Sequence, residues 1–267
     1  MAGADPHLTD IAVGLPSLAI DGRIATITLR RPQVANRLEL EDLAALDGHL
    51  ATVNACEEVL VLRLQAEGRH FCSGFNIGRV RGEDAAAAGA RFEALADAIE
   101  NARPVTVAVL QGGVYGGATD LALACDFRLG TPASEWRVPA ARLGLHYYRG
   151  GLARYVSRLG LQTARRVMLA AETFDAPAML AAGMLDRVLP AAELADEVAS
   201  FCANLAGLAP LALLGMKRSL NRLAAGPLDA VAEAEIAASI ARAAASEDLQ
   251  EGAAAWAAKR APVFRGR

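Results

Sequence analysis

The sequence predicts an α/β protein whose first half mixes strands with helices and whose last third is all helix. Three observations predict it. Apolar runs of strand length at 59–64 and 105–110 alternate with stretches of helical spacing. After about residue 150, helical segments follow one another with only Met184 to Val188 extended between them. From Ala192 to Lys259 the chain is almost wholly composed of helix formers.

Taken in order, Ser17 to Ile20 and Ile24 to Leu29 read as a hairpin around the turn pair Asp21-Gly22, with β-branched residues in the second arm. Glu39 to Asn54 carries leucines and alanines at helical spacing and leads into the buried strand Val59 to Leu64. Gly68 to Asn76 reads as a loop and Glu83 to Asn101 as a helix. Val105 to Leu110 is a second buried strand behind Pro104. Gly112 to Gly117 holds four glycines in six residues and opens the helix ATDLALA, after which Phe127 to Leu129 returns to a short strand. Gly151 to Arg158, Thr163 to Ala170 and Ala176 to Ala182 are expected helices. No Gly/Ser or Pro-rich linker divides the halves, so the helical part is expected to pack on the core or on a neighbouring subunit.

Composition excludes several classes. With 54% hydrophobic and 21% charged residues in 267, disorder is disfavoured. The net charge of -3 and the lack of any basic block argue against nucleic acid. Only Lys217 and Lys259 are lysines among 27 basic residues, a bias that points to GC-rich coding rather than a polyanion surface. Cys56, Cys72, Cys125 and Cys202 lack metal spacing and read as reduced, mostly buried thiols. His7, His49, His70 and His146 are scattered, so no metal site is expected. No signal peptide or uninterrupted apolar span is evident, so the expected location is cytoplasmic with no membrane partner. Walker, Rossmann-glycine, nucleophile-elbow and His-Glu-x-x-His motifs are all missing.

Two loops carry chemistry. FCSGFNI at 71–77 follows a buried strand and bends at Gly74, which aims the Phe75 N–H toward a cleft. GGVYGGATDL at 112–121 sets Gly116 and Gly117 where a strand gives way to a helix, whose first N–H groups lack internal partners. Two such loops after adjacent strands suit a pair of donors to a developing anion. The same glycines also serve as tight turns, and spacing alone leaves both readings open.

From about Leu18 to Gly266 the chain resembles the crotonase superfamily, the enoyl-CoA hydratase/isomerase family. The resemblance rests on ITLRRPQVANRL at 27–38, FCSGFNI, the GGVYGGATDLALACDFRL run, AARLGLHYY with its following glycines, FDAPAMLAAGMLDRVLP at 174–190 and SEDLQEGAAAWAAKRAPVF at 246–264. Each motif is weak, but their joint order and spacing are specific. The resemblance implies a flexible N-terminus over residues 1–16 and a crotonase-like spiral of strand-strand-helix turns over 17–190. It also implies a C-terminal all-helical trimerisation region over 191–267, and assembly as a homotrimer or a dimer of trimers. The implied substrate is an acyl-CoA thioester, with no separate cofactor because CoA is part of the substrate.

Residue by residue, the implied donors to the thioester oxygen are the N–H groups of Phe75 and Gly117. The CoA and acyl contacts fall on Val34, Asn36, Arg37, Ser73, Gly74, Asn76, Ile77 and Gly116, with Lys259 and Phe264 reaching a neighbouring subunit's ligand. Hydratases of the family use two glutamates to position and split water; here Asp120 stands at the first position and Ala140 at the second. An aspartate still transfers protons, whereas alanine does not, so efficient crotonyl-CoA hydration is not expected. Asp120 is the expected acid/base, with helix capping as its other reading. Tyr147 and Tyr148 are expected to orient the acyl group, as a tyrosine in this loop does in methylmalonyl-CoA decarboxylases; simple packing is the alternative. Cys72 reads as a packing residue rather than a nucleophile. A catalytically impaired acyl-CoA-binding protein is the competing function.

Overall fold

The structure, a computed structural model, describes residues 14–76 and 83–267. Most of the N-terminus expected to be flexible, residues 1–13, and Ile77 lie outside the described residues. The hairpin forms as predicted, with β1 (Ser17–Asp21) antiparallel to β2 (Ile24–Leu29). Gly22 supplies the left-handed turn residue at φ 53°.

From β2 onward the main sheet is parallel. β3 (Val61–Ala66), β4 (Val105–Leu110), β6 (Phe127–Gly130) and β9 (Arg187–Val188) extend it to six strands in the order β1-β2-β3-β4-β6-β9. β4 is buried along its whole length because both faces of the sheet are covered. Ala108 and Leu110 face a cluster that includes Leu46 and Leu50 of α1 (Leu40–Ala55), Leu95 and Ile99 of α2 (Glu83–Glu100), and Leu121 of α3 (Ala118–Ala124). Val107 and Val109 face the other way, onto Leu194, Val198 and Cys202 of α6 (Leu194–Ala206). That stripe repeats every four residues, the spacing of one helix face.

A second sheet of three-residue strands, β5 (Gly113–Tyr115), β7 (Glu135–Arg137) and β8 (Thr173–Asp175), stands beside the first in the order β5-β7-β8. Two isolated bridges, Cys72 with Val114 and Leu38 with Phe75, continue it toward the first loop. Each turn of the chain thus runs through one strand of the large sheet, one of the small sheet and then a helix: β4, β5 and α3, followed by β6, β7 and α4 (Arg149–Met168). This is the spiral of strand-strand-helix turns that the resemblance implies.

The differences from the sequence reading are local. Gly151 to Arg158 and Thr163 to Ala170 fall within α4, which is broken at Gly160 by a left-handed φ of 75°. The sequence does not predict β5, β7 or β8, since three residues are too few to show a period of two. After α5 (Ala176–Ala181) and β9, the C-terminal region comprises α6, α7 (Pro210–Ala224), α8 (Ala230–Ala244) and α9 (Glu247–Ala257). Of these, α6 closes the back of the sheet. Among the described residues no single helix is long and apolar enough to cross a membrane.

Candidate active site

The loops that leave the C-terminal ends of β2, β3 and β4 converge. The first, after β2, is held in an unusual shape: Ala35 and Asn36 both take left-handed φ, at 53° and 52°. For alanine that conformation costs about 1–2 kcal/mol. Its neighbours offset the strain, because the Ala35 carbonyl accepts from Ser73 N at 2.8 Å and the Asn36 carbonyl accepts from Cys72 Sγ at 3.0 Å. The Asn36 side chain accepts from Arg31 N and donates to the carbonyls of Glu67 and His70. Asn36, expected at the ligand, is 1% exposed with its amide fully engaged in this clasp. Its side chain shapes the loop.

The second loop runs in register with the first. Leu38 N donates to the Gly74 carbonyl and Asn76 N to the Leu38 carbonyl, both at 2.9 Å. In such a parallel pairing the intervening N–H, that of Phe75, points away from the partner strand. Gly74 has φ 88°, and a Cβ there would lie 2.8 Å from the Tyr115 carbonyl oxygen and 3.0 Å from Gly117 N. Only glycine lets the two loops approach so closely. Gly116 N is committed to the Arg137 carbonyl at 2.9 Å, and Gly117 begins the next turn at φ -61°. Among the described residues neither Phe75 N nor Gly117 N has an acceptor, so two unspent donors sit on adjoining loops.

Cys72 lies beneath, fully buried, where burial pushes its thiol up to about 12. A thiol so held is a packing group, as expected. Exposed Val34 and Arg37 and half-buried Ser73 and Asn76 form the rim, with Asn76 Nδ2 donating to Glu39 at 2.8 Å.

An aromatic wall faces Gly117. A Cβ on Gly117 would come within 2.7 Å of the Phe92 ring, which is 6.0 Å from the Phe75 ring and 6.3 Å from that of Tyr148. Tyr147 stacks on Tyr148 with centroids 4.8 Å apart. Among the described residues the buried Tyr147 hydroxyl has no hydrogen-bond partner. Burial, then the Asp120 charge, raises its pKa. Tyr148 is raised by burial, then by Tyr147 and Asp120, so both phenols stay protonated. Ala140, half-buried in a short 3-10 turn (Ala140–Leu143), packs against the core nearby.

Asp120 is where the structure departs most from the sequence reading. It is 0% exposed, and both carboxylate oxygens are held by Arg154: Nε to Oδ1 at 2.9 Å and Nη2 to Oδ2 at 2.7 Å. The Tyr148 hydroxyl donates to Oδ2 at 2.6 Å. Arg154 Nη1 binds Asp97 at 2.7 Å and Glu100 at 2.9 Å. Burial alone would weaken the arginine's charge, but the hydrogen bonds and charge of Asp120, with Asp97 and Glu100, hold it above the usual guanidinium range. A carboxylate so enclosed is poorly placed to exchange protons with a substrate. Breaking a buried pair of this kind typically costs about 3–5 kcal/mol. Nothing in the sequence near Asp120 announces Arg154, 34 residues away. Phe92 is likewise silent in the sequence, one apolar residue on a helix face.

Lys259 and Phe264 are not brought to this chain's own site. The Phe264 carbonyl accepts from Arg23 at 2.9 Å, and Arg23 precedes β2, at the edge of the sheet opposite the converging loops. Lys259 precedes Phe264 in the same C-terminal segment. A large cavity of about 1420 Å³, lined by Asp97, Glu100, Arg154, Lys217 and Asn221 among others, opens behind Arg154 rather than at the paired donors.

Comparison with known proteins identifies the family to which this fold belongs. It belongs to the enoyl-CoA hydratase/isomerase family, whose profile it matches over residues 19–267. It is 29% identical over 252 residues to the "Probable enoyl-CoA hydratase" of Rhizobium meliloti (strain 1021), covering 92% of this chain and 96% of that one. It is 27% identical over 264 residues to the peroxisomal Delta(3,5)-Delta(2,4)-dienoyl-CoA isomerase of Arabidopsis thaliana, covering 91% and 93%. The crystal structure of an enoyl-CoA hydratase/carnithine racemase from Magnetospirillum magneticum superposes with a TM-score of 0.87 at 28% identity, over 95% of this chain and 96% of that one.

Proposed function

We propose that this chain is an acyl-CoA-processing enzyme that stabilises a thioester enolate between the backbone N–H groups of Phe75 and Gly117. One observation carries the reading: two donors without acceptors stand on loops that only a glycine at 74 allows to meet. Fixed donors need no reorganisation as charge develops on the thioester oxygen, which is why such pairs lower barriers. Tyr147, Tyr148, Phe92 and Ala140 border the acyl group. Val34, Arg37 and Ser73 meet the CoA arm, joined by Lys259 and Phe264 of a neighbouring subunit.

The assembly is a homotrimer or a dimer of trimers. Met216, Leu220 and Leu223 support it: spaced along one face of α7, they are 56–65% exposed and form an apolar stripe that a neighbouring subunit would cover. A single 28 kDa species on sedimentation at micromolar concentration would remove this part.

Turnover of the acyl-CoA, read as exchange of the α-proton with deuterated solvent or as release of CO2, tests the enolate. Gly117→Pro removes the donor, while Gly117→Ala adds a Cβ at the same place and keeps the N–H. The proline variant should turn over about 10²–10³ more slowly than the alanine variant. Equal rates in two folded variants refute the assignment.

A second reading, decarboxylation, is favoured by the state of Asp120. With that carboxylate tied to Arg154 and alanine at 140, neither inherited acid/base position offers a free base. Loss of CO2 from a 2-carboxyacyl-CoA needs none: the C–C electron pair passes to the thioester enolate, which then takes a proton from solvent at the α-carbon. Release of CO2 from a malonyl-type thioester, with no proton exchange in the decarboxylated product, would select this reading.

A further inference from the structure

We propose that Arg154 is a positioning residue: through Asp120 it fixes the Tyr148 hydroxyl, and with it the aromatic wall that orients the acyl group. The inference rests on the acyl-CoA reading of the cleft. Its basis is a three-residue chain with little freedom. Arg154 meets Asp120 in a side-on, two-bond arrangement, at 2.9 and 2.7 Å, between side chains that are 3% and 0% exposed. Such forked pairs fix orientation as well as charge. An ionised carboxylate only accepts hydrogen bonds, and a phenol has one proton to give. The Tyr148 proton is therefore committed to Asp120 Oδ2 at 2.6 Å, and what remains for a ligand is an oxygen lone pair.

The consequence reaches the donors. Tyr148 supports Tyr147 on one side and meets Phe92 on the other, and Phe92 lies against Gly117. Rotation of Tyr148 would loosen every contact in that sequence. Arg154 is itself anchored from outside by Asp97 and Glu100, and Glu100 also binds Arg158 at 2.8 Å. Other polar groups nearby include the Tyr155 hydroxyl, which donates to Thr119 at 2.7 Å, the Tyr147 hydroxyl, and Glu93, which accepts from Gly150 N at 2.9 Å. None of these substitutes for the guanidinium. Lysine in its place would keep the charge and lose the fork.

A double-mutant cycle separates positioning from plain stabilisation, because residues acting through one another give non-additive losses. The variants are Arg154→Lys, Tyr148→Phe and the pair, each assayed for turnover of whichever acyl-CoA the wild type processes and for affinity toward free CoA. We expect Arg154→Lys to lower kcat on the order of 10- to 100-fold, the loss typical of a misplaced orienting group, with free-CoA affinity unchanged. In the Tyr148→Phe background the same change should cost less than about twofold, since the contact it serves is already gone. Should Arg154→Lys not fold, Asp97→Asn loosens the same arginine from a side chain that is half exposed. Its smaller loss should likewise vanish in the Tyr148→Phe background. Equal losses in both backgrounds overturn the positioning role and leave the acyl-CoA reading intact. A wild-type chain that binds neither CoA nor any acyl-CoA overturns that reading, and the positioning role falls with it.

Discussion

Gly74→Ala tests the geometry of the paired loops directly. At φ 88° an alanine is strained wherever it stands, by about 1–2 kcal/mol. Here its Cβ would also lie 2.8 Å from the Tyr115 carbonyl oxygen and 3.0 Å from Gly117 N, both backbone atoms that no rotamer change can move aside. Ordinary contact begins at 3.4 Å, so the loops must part by about 0.6 Å at the carbonyl and 0.4 Å at the donor. Productive site geometry tolerates displacements of about 0.5 Å. The fold should survive with a melting temperature lowered by several degrees, since about 1 kcal/mol corresponds to about 2–4 °C in a chain of this size. Solvent exchange at the acyl α-carbon should fall by about 10²-fold. Gly22→Ala is the control, because it carries the same left-handed strain at φ 53° in the β1–β2 turn and its Cβ meets nothing within 4 Å. It should cost similar stability and no activity. If Gly74→Ala exchanges at the wild-type rate, the close approach of the loops has no part in the chemistry.

The buried core behind the site gives a second expectation. Tyr155→Phe leaves the Trp136 indole N–H without its acceptor at 3.0 Å and Thr119 without its donor, so unfolding in urea should show a loss of about 1–3 kcal/mol. A third concerns pH. Hydrogen bonds from Arg260 and Val263 N hold Glu251 down to about 2, below the ordinary 4.5, so its tether of the C-terminal tail is present above pH 4.5 and is lost as pH falls toward 2. The Val263 amide resonance should move through that range, and Glu251→Gln should flatten the change. Finally, Ala140 and the enclosed Asp120 predict crotonyl-CoA hydration far below the kcat of about 10³ s⁻¹ reached by fast enzymes; a rate of that order would show that the missing glutamate is replaced from elsewhere.

Local signals carried much of this protein. The Asp21-Gly22 turn, the apolar run of β4 and the clustered glycines before α3 act over a few residues, through backbone conformational preference and strand burial, and each element forms where its residues call for it. The ordered motifs along the chain were likewise enough for the family. Tertiary structure alone decided the rest. β7 and β8 are too short to have a pattern and exist because β5 pairs with β7 and β7 with β8. The Asn36 amide is a clasp because residues 31, 67 and 70 arrive around it. Asp120 reads from sequence as the one carboxylate at an inherited catalytic position, but a carboxylate's chemistry depends on what surrounds it. Folding brings the Arg154 guanidinium against both of its oxygens. Turn and strand preferences are short-range and remain legible in one dimension; charge pairing in a water-free interior is set by which distant residues meet, and that is written only in three.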